Sequence, residues 1–386
     1  MRVAKSGILA CKVAQAFLPA VSPTFLSAKS HHADSGSKVS LFPLFVFSVF
    51  RGFLQFSSAC TRSALRNSAS LLGLLCLLSI CLPLTARPDT SADKTTVILV
   101  LGAPGQEEFG SNFLQQAESW RKACTLAECD LIELGREPVG ETNDLEQLRL
   151  ALANQPTNSP AQLWLVLIGH GTFDGKEARF NLRGPDLSAS DLQQWLKPFL
   201  RPLAILDTTS CSAPFLNKLS ATNRVVLTAT RSGAEQYFTR FGQFLAEAVL
   251  GQEADLDKDD QVSLLEAFLI ASRKTAEFYK TEGRIATEHA LLDDNGDGKG
   301  TPADWFRGVH AIKKPADASS VDGTLASQFC LVLSREERAL SADQRRHRDA
   351  LEQEVVKLRE QKSQMAEDAY FEKLEKILTD LARCYQ

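Results

Sequence analysis

Residues 163–171 read LWLVLIGHG, six apolar residues followed directly by a Gly-His-Gly triplet centred on His170. A second apolar run, Leu203–Leu206, leads into the sequence DTTSC, which ends at Cys211. Short apolar runs bounded by Gly and turn residues are typical of buried strands in a parallel sheet, and ligands bind beyond the carboxyl ends of such strands. The pattern therefore predicts that a thiol and an imidazole share one sheet edge, as a nucleophile and its base require. The alternative is a loop His and an ordinary buried Cys.

Strand-like and helix-like segments alternate on either side of these two runs. The other strand predictions are Thr95–Leu101, Asp130–Leu134 and Arg224–Ala229. The helix predictions, from apolar residues at helical spacing, are Ser111–Leu126, Asn143–Ala153, Ser188–Leu196, Pro214–Leu219 and Phe241–Leu250. Such alternation predicts an α/β fold, with a mostly parallel sheet covered by helices on both faces in three layers.

The composition excludes some broad classes of protein. The 386 residues allow one to three domains, and 44% hydrophobic with 23% charged residues is typical of a globular rather than a disordered chain. The formal net charge is −4 and no basic stripe crosses the central region, so nucleic acid is not an expected partner.

The N-terminal part has the features of an export signal. Residues 1–70 are poor in acidic residues, and we expect a disordered extension or a start assigned too far upstream. Arg62 and Arg66 precede Leu71–Leu84, an apolar run followed by small residues, which is the order of a secretory signal peptide over residues 71–86. We therefore expect a secreted or periplasmic protein, with membrane attachment as the alternative if the segment is retained.

Export would place the cysteines in an oxidising compartment. Beyond the signal the chain has five cysteines, an odd number, so one thiol would stay unpaired or pair between chains. Cys124 and Cys129 are close enough in sequence to pair, and Cys330 with Cys384 is a weaker prediction. Cys211 is then the remaining thiol, which suits a reactive role.

A first acidic loop, residues 255–266, has oxygen-bearing side chains at the spacing of an EF-hand calcium loop. Calcium takes six to eight oxygens in such a loop, with a bidentate Glu at the twelfth position and a turn residue at the sixth. Asp260 stands at the sixth position, where Gly is usual. The predicted ligand positions are Asp255, Asp257, Asp259, Gln261, Ser263 and Glu266. A solvated acidic turn is the alternative.

A second acidic loop, residues 293–304, repeats the pattern. It keeps Gly298 at the sixth position but has the shorter Asp at the twelfth. The predicted ligand positions are Asp293, Asn295, Asp297, Lys299, Thr301 and Asp304. The sequence thus predicts Ca²⁺ as a structural cofactor, again with acidic turns as the alternative.

These patterns divide the chain beyond the signal into three regions. We predict an α/β domain over residues 94–252, a calcium-loop region over 253–312 and a helical tail over 326–386. The tail has dense charge and, from Ser341 onward, no Gly or Pro, with apolar residues at helical spacing. A C-terminal α-helical hairpin or short coiled coil is expected, with self-association through it as an open possibility.

Three segments together resemble the caspase/legumain clan of cysteine peptidases. They are LVLIGHG at residues 165–171, AILDTTSCSA at 204–213 and VVLTATRSGAE at 225–235, and the resemblance covers roughly residues 95–250. The resemblance implies a caspase-like α/β/α sandwich that hydrolyses peptide bonds in a peptide or protein substrate. Cys211 would be the nucleophile and His170 would protonate the leaving amine.

The resemblance also assigns supporting roles. The backbone N–H groups of Gly171 and Cys211 would form the oxyanion hole, and Thr230, Arg231 and Ser232 would border the substrate pocket. In the clan, however, the nucleophile stands at the position of Thr209 when counted from Leu206, and Cys211 lies two residues later. The sequence therefore leaves two functions open, an exported cysteine endopeptidase and a catalytically inactive, calcium-binding scaffold or interaction protein.

Overall fold

A seven-stranded, mostly parallel sheet forms the centre of the protein. The computed structural model describes residues 94–137, 140, 142–316 and 320–385. The strands of the central sheet are β1 (Thr96–Leu101), β2 (Asp130–Leu134), β3 (Leu163–Ile168), β7 (Leu203–Asp207), β8 (Arg224–Thr228), β9 (Leu291–Asp293) and β10 (Thr301–Pro302). Their order is β10-β9-β8-β7-β3-β1-β2, and only β9 and β10 are antiparallel to their neighbours. A small separate sheet contains β4 (Gly171–Phe173), β5 (Ala178–Phe180) and β6 (Leu187–Ser188), and β11 (Phe306–Arg307) pairs with β12 (His310–Ala311).

Both faces of the central sheet are covered because its inner strands, such as β1 and β3, are buried and almost entirely apolar. In β1, Val97, Leu99 and Leu101 belong to one buried cluster, whereas Ile98 and Val100 belong to the other. Successive side chains of a strand point to opposite faces, so a continuous apolar run needs cover on both sides. The three-layer α/β/α architecture predicted from the sequence is confirmed.

The helices divide between these two faces. The bounds are α1 (Glu107–Ala127), α2 (Asp144–Ala153), α3 (Ala189–Leu196), α4 (Ala213–Leu219), α5 (Phe241–Ala248) and α6 (Leu264–Thr281). Buried residues of α1, α5 and α6 belong to the first cluster, and those of α2, α3 and α4 to the second. Three of these helices therefore cover one face of the central sheet, and the other three cover the opposite face.

The C-terminal part is a helical hairpin that follows the sheet. It contains α7 (Arg335–Ala339), α8 (Ala342–Glu360) and α9 (Glu367–Cys384). Leu351 and Val355 of α8 pack with Leu381 and Cys384 of α9, as the helical spacing in the sequence indicates. Arg348 is buried at this junction, with an ion pair to Asp349 at 2.7 Å and a second ion pair to Glu337 of α7.

Other predictions fall outside this description. The predicted extension and signal, residues 1–86, lie outside the described residues. Among the helices that the structure does describe, none is long and apolar enough to cross a membrane. β9 and β10 have no counterpart among the sequence predictions; they extend the sheet on either side of the second acidic loop.

Candidate functional site

Adjacent parallel strands bring the His170 and Cys211 segments to the same edge of the sheet. β3 pairs with β7 in a register that sets Leu167 opposite Asp207, so both chains leave the sheet at their carboxyl ends side by side. The two loops then touch at Gly171. A Cβ atom on Gly171 would lie 2.1 Å from the Ser210 carbonyl oxygen, so only glycine allows this approach.

Ser210 engages both backbone polar groups of Gly171. The Gly171 N–H donates to Ser210 Oγ at 3.2 Å, and Ser210 Oγ donates to the Gly171 carbonyl at 3.0 Å. An oxyanion hole needs donors aimed at the space where the oxyanion develops. The Gly171 N–H instead faces a buried protein hydroxyl.

The His170 imidazole is half-buried among aromatic rings. Its ring centroid lies 4.8 Å from that of Phe109, 5.3 Å from Phe113 and 6.0 Å from Phe238. His170 Nε2 is 3.3 Å from the Pro104 carbonyl oxygen. Burial lowers the pKa of His170 from its ordinary value, because the low-dielectric surroundings disfavour the imidazolium.

The Cys211 thiol lies in the interior, with 2% of the residue exposed. Its backbone φ is 57°, in the left-handed region, and its N–H donates to the Glu235 carbonyl at 2.9 Å. Burial raises the pKa of the thiol, and the nearby Asp207 carboxylate raises it further. Among the residues that the structure describes, the thiol makes no hydrogen bond to His170.

Thr209 occupies the position at which the clan carries its nucleophile, and it too is fully buried. Its Oγ1 donates to Asp207 Oδ1 at 2.6 Å, and its N–H donates to the same oxygen at 3.2 Å. Burial raises the pKa of Asp207 to about 6. Asp207 Oδ2 is buried and has no hydrogen-bond partner within the described part of the chain.

The predicted substrate-pocket residues have different surroundings. Thr230 is fully buried, and its Oγ1 bonds to Ser212 Oγ and accepts from the Ala213 N–H at the start of α4, so its place in the substrate pocket stays a prediction. Arg231 is exposed, with Nε 3.4 Å from Glu235 Oε1. The Ser232 hydroxyl accepts from the Ala234 N–H at 3.3 Å.

Glu235 and His289 form a polar pair that the sequence patterns do not reveal. His289 Nδ1 is 2.6 Å from Glu235 Oε1, and Glu235 Oε2 accepts the N–H groups of Arg231 and His289. Because the Glu235 carbonyl also accepts the Cys211 N–H, this pair fixes the backbone next to the thiol. No signal could have found it, since 54 residues separate its partners.

The first acidic loop brings three carboxylates together. Oxygen atoms of Asp255, Asp257 and Asp259 lie within 4.8 Å of one another. Gln261 donates its side-chain amide to Asp259 Oδ2 at 2.8 Å. Burial and mutual repulsion raise the pKa of Asp257 to about 8, and burial is the main cause that raises the pKa of Asp259 to about 6.

Glu266 and Ser263, the twelfth and ninth positions of this loop, form the capping box of α6. Both oxygens of Glu266 accept hydrogen bonds from the loop, so a cation would have to displace at least one of them. Asp257 Oδ1 is buried and accepts no hydrogen bond from any described residue. Several converging oxygens, one of them unsatisfied, are what a hard cation such as Ca²⁺ binds.

The second acidic loop differs from its prediction at the twelfth position. Asp304 is 68% exposed at its side chain and pairs with Lys313 Nζ at 2.6 Å, so it does not reach back to the loop. Asp293, the last residue of β9, is fully buried, and Ser220 Oγ is 3.1 Å from Asp293 Oδ1. The role of Asp304 as a ligand stays a prediction. Asp322, which lies outside the predicted loop, accepts the Asp294 N–H at 2.9 Å.

The five described cysteines are free thiols: Cys124, Cys129, Cys211, Cys330 and Cys384. Neither predicted pair is bridged. The odd number of cysteines therefore does not single out Cys211 as the unpaired thiol. The reactivity of Cys211 has to be judged from its burial and hydrogen bonds.

No protein-family model and no curated protein matches the chain. Two solved structures that it is similar to are the Drosophila initiator caspase Dronc and caspase-1 from Spodoptera frugiperda. Dronc is 11% identical with a TM-score of 0.34, over 53% of this chain and 81% of that one. Caspase-1 is 11% identical with a TM-score of 0.33, over 53% of this chain and 87% of that one.

Proposed function

We propose that this protein is an exported, calcium-binding interaction protein whose peptidase-like edge has no catalytic role. The observation that carries the proposal is that both expected oxyanion donors already donate hydrogen bonds within the protein. The Gly171 N–H donates to Ser210 Oγ and the Cys211 N–H donates to the Glu235 carbonyl. Loss of a single oxyanion donor typically costs about 10²–10³ in rate, and here both are engaged.

The environment of the thiol supports the same proposal. A nucleophilic cysteine has a lowered pKa, in a partly exposed site beside a positive charge. Cys211 has the opposite surroundings, because burial and the Asp207 carboxylate both raise its pKa. The His170 imidazole is packed among aromatic rings, and burial lowers its pKa, which disfavours the imidazolium that could offset them.

A thiol-directed peptidyl trap tests the absence of catalysis. We expect no labelling of the folded parent, of Cys211→Ala or of Thr209→Ala, whereas a small thiol reagent labels Cys211 once the protein is unfolded. Labelling of the folded parent that Cys211→Ala abolishes and Thr209→Ala preserves would instead establish a Cys211 peptidase.

A latent cysteine peptidase is the second candidate, and one observation favours it. Cys211 is a non-glycine residue with φ 57°, and strained backbone of this kind concentrates at functional sites. In a latent enzyme, Ser210→Ala would free the Gly171 N–H. That variant would then react with the peptidyl trap faster than the parent does, whereas in an inactive scaffold both remain unlabelled.

Calcium binding at the first acidic loop is the positive half of the proposal. Its support is the convergence of Asp255, Asp257 and Asp259 and the unsatisfied Asp257 Oδ1. Calcium at a hundred times its dissociation constant would stabilise the fold by about 2.7 kcal/mol. We expect Ca²⁺ to raise the melting temperature of the parent.

The matched variants locate the effect. Asp257→Ala should remove the calcium-dependent rise in melting temperature. Asp130→Ala should keep it, because Asp130 lies on β2, outside both acidic loops, and pairs with Lys94. A parent protein with the same melting temperature in Ca²⁺ and in EDTA would leave the loop as an acidic turn.

A further inference from the structure

The two acidic loops share a backbone conformation that their sequences only partly share. The fourth and sixth residues of the first loop, Lys258 and Asp260, have φ of 65° and 69°. The same positions of the second loop, Gly296 and Gly298, have φ of 82° and 72°. Both loops therefore have left-handed backbone at their fourth and sixth positions, where the chain turns.

The polar side chains of the loops also follow one pattern. In the second loop Asn295 Oδ1 accepts the Asp297 N–H at 2.8 Å, and Asp297 Oδ1 accepts the Lys299 N–H at 2.8 Å. In the first loop Asp259 Oδ1 accepts the Gln261 N–H at 3.1 Å, which is the same bond between fifth and seventh positions. The two loops therefore share the bond between the fifth and seventh positions.

In the first loop, the twelfth residue closes this turn. Glu266 Oε1 accepts the N–H groups of Leu256 and Asp257 at 2.7 and 3.2 Å, the second and third positions. Glu266 Oε2 accepts the N–H and the hydroxyl of Ser263, the ninth position, at 2.9 and 2.8 Å. One carboxylate thus joins the two ends of the loop.

In the second loop, Asp322 makes the equivalent bonds. Asp322 Oδ1 accepts the N–H groups of Asp294 and Asn295, its second and third positions, at 2.9 and 3.2 Å. Asp322 Oδ2 accepts the Thr301 hydroxyl, its ninth position, at 2.5 Å. Asp304, the twelfth residue by sequence, makes none of these bonds and pairs with Lys313.

The second acidic loop contains a buried carboxylate oxygen without a hydrogen-bond partner among the described residues. Asp293, the first position, is fully buried. Its Oδ1 accepts from Ser220 and Gly296, but its Oδ2 has no hydrogen-bond partner among the described residues. Burying a carboxylate oxygen without a partner is costly unless a cation compensates it.

We propose that the second acidic loop is a Ca²⁺ site closed by Asp322 in place of Asp304. Asp322 is 4% exposed and supplies, from another segment, the carboxylate that Glu266 supplies within the first loop. Calcium takes six to eight oxygens, and hard oxygen donors of this kind suit it. The ligand set is Asp293, Asn295, Asp297, the Lys299 carbonyl and a bidentate Asp322. This inference deepens the calcium-binding part of the proposed function, but it stands on a separate loop.

Equilibrium dialysis of the full chain against Ca²⁺, with bound ions counted per protein, tests the proposal. Asp322→Asn should bind one ion fewer than the parent, whereas Asp304→Asn should bind as many as the parent. Asp257→Asn should lose a different ion, that of the first loop, so the double variant with Asp322→Asn should lose both. Circular dichroism in EDTA establishes that each variant is folded.

The outcomes separate the two loops. A folded Asp322→Asn with the parental ion count, or an Asp304→Asn with one ion fewer, overturns the role of Asp322. Loss of an ion in Asp322→Asn but not in Asp257→Asn supports this inference and removes the first loop from the proposed function. A parent that binds no calcium overturns both. If Asp322→Asn does not fold, Asp293→Asn provides the test: it should lose one ion, and retention of the parental count overturns the site.

Discussion

At the edge that carries His170 and Cys211, the buried donors are paired within the protein, whereas the first acidic loop leaves a buried acceptor unpaired among the described residues. At the edge, the Gly171 and Cys211 amides and the Thr209 hydroxyl donate to protein acceptors. In the loop, three carboxylates converge and Asp257 Oδ1 is left without a hydrogen bond from the described residues.

This difference separates a structural site from a binding site. Buried polar groups in native proteins nearly always have partners, so a satisfied cluster needs no ligand to explain it. An unsatisfied, charged cluster is costly in the absence of a ligand and becomes favourable when a cation binds. The chemistry that the sequence suggests most strongly, a Cys–His pair, thus has weaker geometric support than the acidic loops.

The largest expected effect comes from breaking the closed edge at Gly171. In Gly171→Ala the new Cβ would lie 2.1 Å from the Ser210 carbonyl oxygen and 2.7 Å from Thr209 Oγ1, so backbone must shift. We expect the free energy of unfolding to fall by about 3 kcal/mol, measured by chemical denaturation.

Gly140→Ala is the matched control for this substitution. A Cβ at Gly140 meets no atom of the described residues within 4 Å, so its effect should stay within about 0.5 kcal/mol. A loss below about 1 kcal/mol for Gly171→Ala would show that the edge opens easily, which would favour the latent peptidase.

A second prediction concerns Asp207, which has a buried oxygen without a hydrogen-bond partner among the described residues. Its pKa is raised to about 6 by burial, above the ordinary value of about 4. Between pH 4 and pH 6 the folded state therefore keeps a proton that the unfolded state has released, and stability contributed by this group falls as the pH rises.

Asp207→Asn should remove that fall while keeping an acceptor for the Thr209 donors. Relative to the variant, the parent should lose about 2 kcal/mol of unfolding free energy between pH 4 and pH 6.5. Chemical denaturation at several pH values measures the difference. Parallel profiles for parent and variant would mean that the Asp207 carboxyl is satisfied, and the contrast with the acidic loop would then be complete.

Much of the fold follows from the sequence because its determinants are local. The apolar runs Leu163–Ile168 and Leu203–Leu206 are strands within a residue of their predicted bounds, since a buried strand needs only continuous apolar residues and a turn. β9 was missed because two leucines before an acidic loop are too short a signal. Its pairing with β8 depends on tertiary contacts.

The candidate sites are less predictable because their deciding contacts are distant in sequence. The hydrogen bond between Ser210 and Gly171 joins residues 39 positions apart, and neither residue type predicts it. Asp322 lies in a linker-like segment, so the spacing rule selected Asp304 instead. Sequence spacing identifies which residue types converge, but it cannot show whether a donor is already used or which distant carboxylate completes a loop.

The smallest expected effect distinguishes a helix cap from a calcium ligand. Ser263 and Ser341 each form a capping box, on α6 and α8, but only Ser263 is also the ninth residue of an acidic loop. In EDTA, Ser263→Ala and Ser341→Ala should each lower the free energy of unfolding by about 1 kcal/mol, the usual cost of removing such a cap. In saturating Ca²⁺ the loss for Ser263→Ala should grow while that for Ser341→Ala stays constant, because Ser263 helps to close a calcium loop and Ser341 does not. Equal losses under both conditions would show that Ser263 acts only as a helix cap. Calcium binding at the first acidic loop would then not involve Ser263.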